Sequence, residues 1–178
     1  YRQHRAHEEK ALENTYPYGM PCVETKEQLQ RLEEQLAEHN ILLLFRPHPV
    51  QDLSVFHKEE LPHIRIADDV FLASMECTLY ELLAQTDALI TDYSSVYFDY
   101  LLTERPIALT IADREEYFTR FTLAFPDYKE AVKGFYIETC SQLSSFLAEI
   151  AEGVDSAREE RMPAKEKYHT KDAGNSAK

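Results

Sequence analysis

Short, fully apolar runs separated by helix-forming segments constrain the fold of this chain most strongly. The run at residues 41–45 (ILLLF) is continuously apolar, as a strand that is buried on both faces requires. It follows a predicted helix over residues 26–39, in which leucines recur at the spacing of a helix. A strand of this kind next to such a helix indicates a parallel sheet covered by helices.

The same alternation continues along the rest of the chain. Further strands are predicted at residues 64–67, 88–91, 106–111 and 135–137. Further helices are predicted at residues 53–61, 78–85, 95–103, 115–121 and 141–152, before a charged and partly helical tail. This order is typical of the α/β class with a doubly wound, mostly parallel, Rossmann-like sheet. We expect residues 1–25 to form an irregular N-terminal arm and residues 26–178 to form the domain.

The charge and the glycine content exclude two classes of phosphate-binding protein. The chain has 32 acidic and 19 basic side chains, which gives a net charge of −13. Nucleic-acid-binding domains normally present a basic face, and no cluster of lysine and arginine occurs here, so we expect no nucleic-acid partner. The chain has 4 glycines, and they lie far apart. This spacing excludes a glycine-rich phosphate loop.

The cysteines and histidines do not indicate a metal or redox centre. The three cysteines form no CxxC motif, so free thiols in a reducing compartment are the simplest interpretation. The histidines lack the spacing of metal ligands, and we predict neither a metal nor a cofactor. No apolar run approaches the ~20 residues of a membrane helix. The chain begins at Tyr1 without a signal peptide, and we expect it to be part of a longer protein.

Two polar segments follow predicted strands, and ligands of such sheets bind beyond the carboxyl ends of the strands. Residues 46–49 (RPHP) follow the first strand, and residues 91–95 (TDYSS) lie between a strand and a helix. A helix N-terminus offers unpaired backbone N–H groups, and the two serines add hydroxyl donors. Arg46 and His48 bring further positive or hydrogen-bonding groups to this edge. The two segments together predict a phosphate-binding site.

Each of these residues also has an ordinary structural interpretation. Serine at the position of Ser94 most often caps a helix, and Asp92 can brace the turn. His48 lies between two prolines and can belong to a rigid turn. Tyr97 and Tyr100 are expected to pack in the core and not to stack on a ligand. The convergence of separate polar motifs on one edge of the sheet favours the functional interpretation.

Several motifs of the chain resemble those of a known family. TDYSSV at residues 91–96, FDY at residues 98–100 and RPI at residues 105–107 resemble the T-D-Y-S-S-x-x-F-D-[FY]…[KR]-P-[IL] signature of the CDP-glycerol glycerophosphotransferases. These are the teichoic acid polymerases and primases of Gram-positive bacteria. RPHP at residues 46–49 and DREEY at residues 113–117 are similar to the [KR]-x-H-P and D-x-E-E-Y segments of that family. The resemblance covers nearly the whole chain.

The resemblance implies a fold and an activity. Members of this family have a two-domain, GT-B-like fold, so this chain would be the C-terminal half, which binds the CDP-alcohol donor. The family transfers glycerol phosphate from CDP-glycerol to a hydroxyl of a lipid-linked polyol phosphate and releases CMP. The parent enzyme would be cytoplasmic and peripheral at the inner face of the cell membrane. Without the N-terminal half, this chain would bind the donor and could lack turnover.

The motifs also imply roles for particular residues. His48 would contact the diphosphate of the donor and assist the transfer, whereas Ser94 and Ser95 would hold diphosphate oxygens. The other residues placed at the donor by the matching motifs are Arg46, Thr91, Asp92, Asp99, Glu116 and Tyr117. The resemblance implies no metal ligand among them.

Three other functions stay open from the sequence. Ribitol-phosphate transferases share these motifs, so CDP-ribitol is an alternative donor. A GT-B glycosyltransferase or epimerase would use a UDP-sugar at the same edge of the sheet. A non-catalytic nucleotide-binding module would keep the pocket without turnover. Selectivity between CDP and UDP ligands separates the phosphotransferases from the glycosyltransferase or epimerase.

Overall fold

The computed structural model describes residues 18–20, 22–47, 56, 60–111 and 131–169. The chain divides into two compact units, Tyr1–Thr78 with Thr139–Ala151, and Leu79–Glu138 with Glu152–Lys178. Most of the predicted N-terminal arm lies outside the described residues, and so does most of the helix predicted at residues 53–61. The helix predicted at residues 115–121 lies wholly outside them. The single domain predicted over residues 26–178 stays a prediction.

All strands predicted from the sequence are present in the described residues, and so are the predicted helices that lie wholly within them. The first elements are helix α1 (Lys26–Glu38), strand β1 (Leu43–Phe45), strand β2 (Ile64–Ile66), helix α2 (Asp69–Ser74), helix α3 (Leu79–Leu83) and strand β3 (Leu89–Thr91). They are followed by helix α4 (Val96–Tyr100), a 3₁₀ turn (Leu101–Thr103), strand β4 (Ile107–Leu109), strand β5 (Phe135–Tyr136), helix α5 (Cys140–Glu152) and helix α6 (Arg158–Tyr168). Helix α2 is the one helix among these that the sequence pattern did not predict.

All strand pairs of the described residues are parallel, which confirms the predicted α/β class with parallel strands. Strand β1 pairs with β2, and β4 lies between β3 and β5. Within the described residues these pairs make a two-stranded and a three-stranded sheet, whereas the pattern predicted one sheet. Periodicity identifies strands, but it does not determine which strands share hydrogen bonds.

Helix α1 shows how the local sequence sets the ends of an element. At its N-terminus, Thr25 Oγ1 accepts from the N–H of Gln28 (3.2 Å), and the Gln28 side chain accepts from the N–H of Thr25 (3.1 Å), a capping box. At its C-terminus, Asn40 is left-handed (φ 53°) and the N–H of Ile41 donates to the carbonyl of Leu36 (2.8 Å). This is a Schellman motif. Because Ile41 closes the helix, strand β1 begins two residues later than predicted.

The core of the first unit lies under α1. The predicted leucine stripe of this helix is confirmed, since Leu29, Leu32 and Leu36 are buried. They pack in one cluster with Ile64 of β2 and Leu147 of α5. The side chains of α1 and α5 therefore cover this two-stranded sheet.

The core of the second unit forms around α4. Tyr97 and Tyr100 are buried, and they pack with Ile107 and Leu109 of β4 and with Ala164 of α6. The expectation that these two tyrosines belong to the core is confirmed. Helix α4 therefore lies against the three-stranded sheet, and α6 contributes to the same core.

Charged groups hold helix α6 in the second unit. The side chain of Arg161 is 1% exposed and donates from Nη1 to Asp155 Oδ1 (3.0 Å). Glu104, which follows the 3₁₀ turn, accepts from Arg158 (2.8 Å) and pairs with Lys165. The hydrogen bonds from Lys165 and Arg158 lower the pKa of Glu104. The tail predicted to be partly helical is therefore anchored by ion pairs.

Replacing Asp155 with alanine is expected to lower the free energy of unfolding by about 3–5 kcal/mol, because it leaves the Arg161 guanidinium buried without its carboxylate. Urea unfolding followed by circular dichroism measures this change. The Arg161→Met variant removes the charge itself and is expected to cost less than Asp155→Ala. If Arg161→Met lowers the free energy of unfolding more than Asp155→Ala does, the cost does not arise from an unpaired buried charge.

Gly134 permits a close approach between the segment before β5 and strand β4. A Cβ at position 134 would lie 2.6 Å from the carbonyl oxygen of Ile107, a distance at which backbone must move. We expect Gly134→Ala to lower the free energy of unfolding by about 1–3 kcal/mol, the usual cost of overpacking. The same urea titration measures the loss. Unchanged stability would contradict a tight contact at this position.

Candidate functional site

Residues 91–95 lead from the carboxyl end of β3 into α4. Thr91 ends the strand, is 9% exposed, and its carbonyl accepts from the N–H of Thr110 (2.9 Å). The next residues leave the sheet at the edge where ligands of parallel sheets bind. Ser94 and Ser95 are both exposed there. The turn therefore presents two hydroxyl groups, whereas Thr91 leaves little surface for a ligand.

The turn is held by its own side chains. Asp92 Oδ1 accepts from the N–H of Ser94 (3.2 Å), and Ser94 Oγ accepts from the N–H of Val96 (3.4 Å). Such bonds are typical of Asx and ST turns. Asp92 thus braces the turn, as its structural interpretation proposed. Direct contact of Asp92 with a donor stays a prediction.

The backbone of this turn differs from the expectation for a helix N-terminus, which is a set of unpaired N–H groups at the start of α4. The N–H groups of residues 94 and 96–98 instead donate within the turn, to Asp92, to Ser94 Oγ and to the carbonyls of Ser94 and Ser95. The side chain of Ser95 makes no capping bond. The hydroxyl groups, more than the N–H groups, are therefore what this turn presents to an anion.

Ser94 is oriented for donation by the bond that it accepts. A hydroxyl has one donor proton and two acceptor lone pairs. Because Ser94 Oγ accepts from the N–H of Val96, its proton remains for a hydrogen bond to an anion. The hydroxyl thus combines a partial cap with a possible contact to a phosphate oxygen.

Buried tyrosines fix the helix behind the turn. The hydroxyl of Tyr97 donates to the carbonyl of Lys133 (2.9 Å) and accepts from the N–H of Lys133 (2.8 Å). The hydroxyl of Tyr100 donates to the carbonyl of Thr86 (2.9 Å). Nε2 of His169 donates to the carbonyl of Phe98 (2.7 Å). Helix α4 is therefore bound to three other segments of the second unit, and the turn begins from a fixed position.

Asp99 has a partner that the sequence did not reveal. It is exposed on α4, and it accepts a hydrogen bond from the hydroxyl of Tyr80 on α3 (3.2 Å). The negative charge of Asp99 raises the pKa of Tyr80. No spacing rule joins residues that are 19 positions apart, so no sequence signal could have identified Tyr80. Contact of Asp99 with a donor stays a prediction.

Arg46 lies directly after β1 and binds other groups of the first unit. Its guanidinium donates to the carbonyl of Ala67 (2.8 Å) and pairs with Asp69 (2.6 Å). These bonds connect the end of β1 with the chain that follows β2. Arg46 therefore has a structural role, and its predicted contact with a donor stays a prediction.

His48, Glu116 and Tyr117 lie outside the described residues. In the part of the chain that the structure describes, no group of three or more His, Cys, Asp and Glu side chains could hold a metal ion. The three cysteines are free. A surface cleft of about 520 Å³ is lined by Phe56 and by residues 60–62 and 64–66, none of which is a predicted site residue.

Among the helices within the described ranges, none combines the length and the apolar character needed to cross a bilayer.

Comparison with known proteins identifies the family. The model of the CDP-glycerol:poly(glycerophosphate) glycerophosphotransferase family matches residues 4–178. The chain therefore belongs to this family, and the resemblance drawn from its motifs is confirmed.

Individual relatives are proteins of teichoic acid synthesis. Over 119 residues the chain is 32% identical to the teichoic acid poly(ribitol-phosphate) polymerase of Bacillus spizizenii. The aligned residues are 67% of this chain and 18% of the relative. The chain is 27% identical over 149 residues to a teichoic acid ribitol-phosphate polymerase of Staphylococcus aureus, covering 83% and 27%. It is 32% identical over 83 residues to a teichoic acid glycerol-phosphate transferase of the same organism, covering 47% and 21%. The matched parts thus span between 18% and 27% of the length of these relatives.

The stability of the second unit is expected to fall between pH 10 and about pH 12, because burial raises the pKa of Tyr97 from 10 to about 12. In that interval the unfolded chain releases the Tyr97 proton and the folded chain keeps it, so rising pH favours unfolding. Urea unfolding from pH 8 to 11.5 measures this slope. The Tyr97→Phe variant should show a shallower slope, and identical slopes would contradict the shift.

Proposed function

We propose that this chain is the donor-binding part of a transferase that moves glycerol phosphate from CDP-glycerol to a hydroxyl of a teichoic-acid-type polyol phosphate polymer. CMP is the second product. Family membership supports the phosphotransferase chemistry, and the names of the relatives support the polymer class. We assign donor binding to this site because Ser94 and Ser95 are exposed at the carboxyl edge of β3.

The chemistry requires positioning and charge stabilisation more than covalent catalysis. The acceptor oxygen forms a bond to the phosphorus that carries the glycerol, the bond from that phosphorus to the bridging oxygen breaks, and CMP leaves. The acceptor hydroxyl gives its proton to a base. Ser94 and Ser95 can donate hydrogen bonds to diphosphate oxygens during this step. Because α4 is bound through Tyr97 and Tyr100, these hydroxyls need little reorganisation.

The charges near the turn limit what it can do alone. The carboxylates of Asp92 and Asp99 flank the two serines, and they oppose an anionic diphosphate. Positive charge therefore has to come from residues outside the turn, and His48 is the residue that the family motif assigns to the diphosphate. A protonated His48 would stabilise the departing CMP, whereas a neutral His48 would act as a base.

The donor alcohol has two candidates. The family is named for CDP-glycerol, whereas two of the relatives above are named for ribitol phosphate. CDP-ribitol is therefore the second candidate donor. The proposal includes a parent enzyme with a GT-B-like fold, of which this chain is one half. That parent would be peripheral at the inner face of the membrane, and it would act on a lipid-linked acceptor.

Isothermal titration of the chain with CDP-glycerol, CDP-ribitol, CMP and UDP-glucose tests the proposal. We expect one CDP-alcohol to bind more tightly than UDP-glucose. The double variant Ser94→Ala, Ser95→Ala should weaken that binding roughly tenfold or more, since a hydrogen bond to a charged group contributes about 1.5–3 kcal/mol. His48→Ala should weaken it as well. Ser145→Ala, which changes an exposed serine on α5, serves as the matched control.

The outcomes distinguish the alternatives. Tighter binding of UDP-glucose would favour a glycosyltransferase or epimerase. Loss of donor binding in the double serine variant, together with unchanged polymerisation by a full-length parent that carries the same changes, would favour a non-catalytic module. If neither CDP-alcohol nor CMP binds, the assignment of donor binding to this chain is wrong.

A further inference from the structure

Tyr80 presents an exposed aromatic ring that is bonded to helix α4, the helix that follows the serine turn. The residue is 61% exposed, and its hydroxyl donates to Asp99 (3.2 Å). Asp99 follows Ser95 by four residues, so the two share one exposed face of α4, about one helical turn apart. The ring of Tyr80 is thereby connected to the same surface as the Ser94 and Ser95 hydroxyls.

The hydrogen bond to Asp99 limits the motion of an exposed ring. An exposed side chain normally keeps several rotamers, and ordering it on binding costs free energy. Here the backbone of Tyr80 lies in α3 and its hydroxyl is bound to Asp99, so both ends of the side chain are held. The exposed part of such a ring can stack on a flat, aromatic ligand with little further ordering.

Asp99 is suited to hydroxyl groups and not to phosphate. An ionised carboxylate only accepts hydrogen bonds and has about four acceptor positions, of which Tyr80 uses one. A diphosphate would be repelled by this charge, whereas sugar hydroxyls can donate to it. These groups match the three parts of a nucleoside diphosphate. The Tyr80 ring suits a flat base, the Asp99 carboxylate suits the sugar hydroxyls, and the serine hydroxyls suit the diphosphate.

We propose that Tyr80 and Asp99 bind the nucleoside of the donor. The ring of Tyr80 stacks on the pyrimidine base, and the carboxylate of Asp99 accepts from the ribose hydroxyls. This inference rests on the proposed function, and it assigns Asp99 to the nucleoside end of the donor. Stacking is tolerant of base identity, so Tyr80 contributes affinity for a nucleotide without selecting cytosine over uracil.

Titrations of this chain with CMP, 2′-deoxy-CMP and inorganic pyrophosphate test the inference. Tyr80→Ala should weaken CMP binding roughly tenfold, the usual effect of removing one stacked aromatic ring, and leave pyrophosphate binding unchanged. Tyr80→Phe keeps the ring and should stay within about threefold of the unmodified chain, since it loses one exposed hydrogen bond. Asp99→Asn should reduce the preference for CMP over 2′-deoxy-CMP. Leu102→Ala, an exposed apolar residue that follows α4, is the matched control and should change none of these affinities.

The results separate this inference from the function on which it rests. If the unmodified chain binds CMP and Tyr80→Ala binds it equally well, the nucleoside assignment is wrong and the proposed function stands. Equal weakening of CMP and pyrophosphate by Tyr80→Ala would also overturn the assignment, because it indicates a structural effect on the turn. If the unmodified chain binds no cytidine nucleotide, both proposals fail together.

Discussion

The arrangement of the second unit depends on the pair of hydrogen bonds between the hydroxyl of Tyr97 and the backbone of Lys133. A tyrosine hydroxyl that is buried without partners is costly, and here the backbone of Lys133 supplies both a donor and an acceptor. This pair joins helix α4 to the segment that enters β5. The next residue, Gly134, lets that segment approach the carbonyl of Ile107 on β4. One satisfied side chain thus connects the helix behind the serine turn with two strands of the sheet.

The C-terminal helix α6 supports the same helix from another side. Tyr168 packs edge-on against Phe98 of α4, with ring centroids 4.9 Å apart, and His169 binds the Phe98 carbonyl. Helix α6 is itself held by the buried pair of Arg161 with Asp155 and by the cations that bind Glu104. The turn with the exposed hydroxyls is therefore followed by a helix that is fixed to the rest of the second unit. Such support gives a binding group a defined position before any ligand arrives.

Most of the elements could be predicted from the sequence because helices and strands leave local patterns, although helix α2 was missed. The leucine stripe of α1 and the apolar run of β1 are examples, and the motif around Ser94 and Ser95 identified the family. The prediction for the start of α4 was less accurate. The N–H groups of Ser94 and Val96 are taken by the side chains of Asp92 and Ser94, which depends on the rotamers of these two residues. The N–H groups of Tyr97 and Phe98 are taken by backbone carbonyls, which depends on the path of the turn. A residue type at a given spacing does not determine a rotamer.

Contiguous residues thus determined the α/β class, the order of the elements, the family and the serine turn, because propensity, capping and motif spacing act over a few positions. The tertiary structure alone decided which strands pair, that Arg161 is buried, and that Tyr80 reaches Asp99. It also joined Tyr97 to Lys133 across 36 positions. These contacts form between surfaces that meet only after packing, and packing depends on the shape and burial of the whole unit.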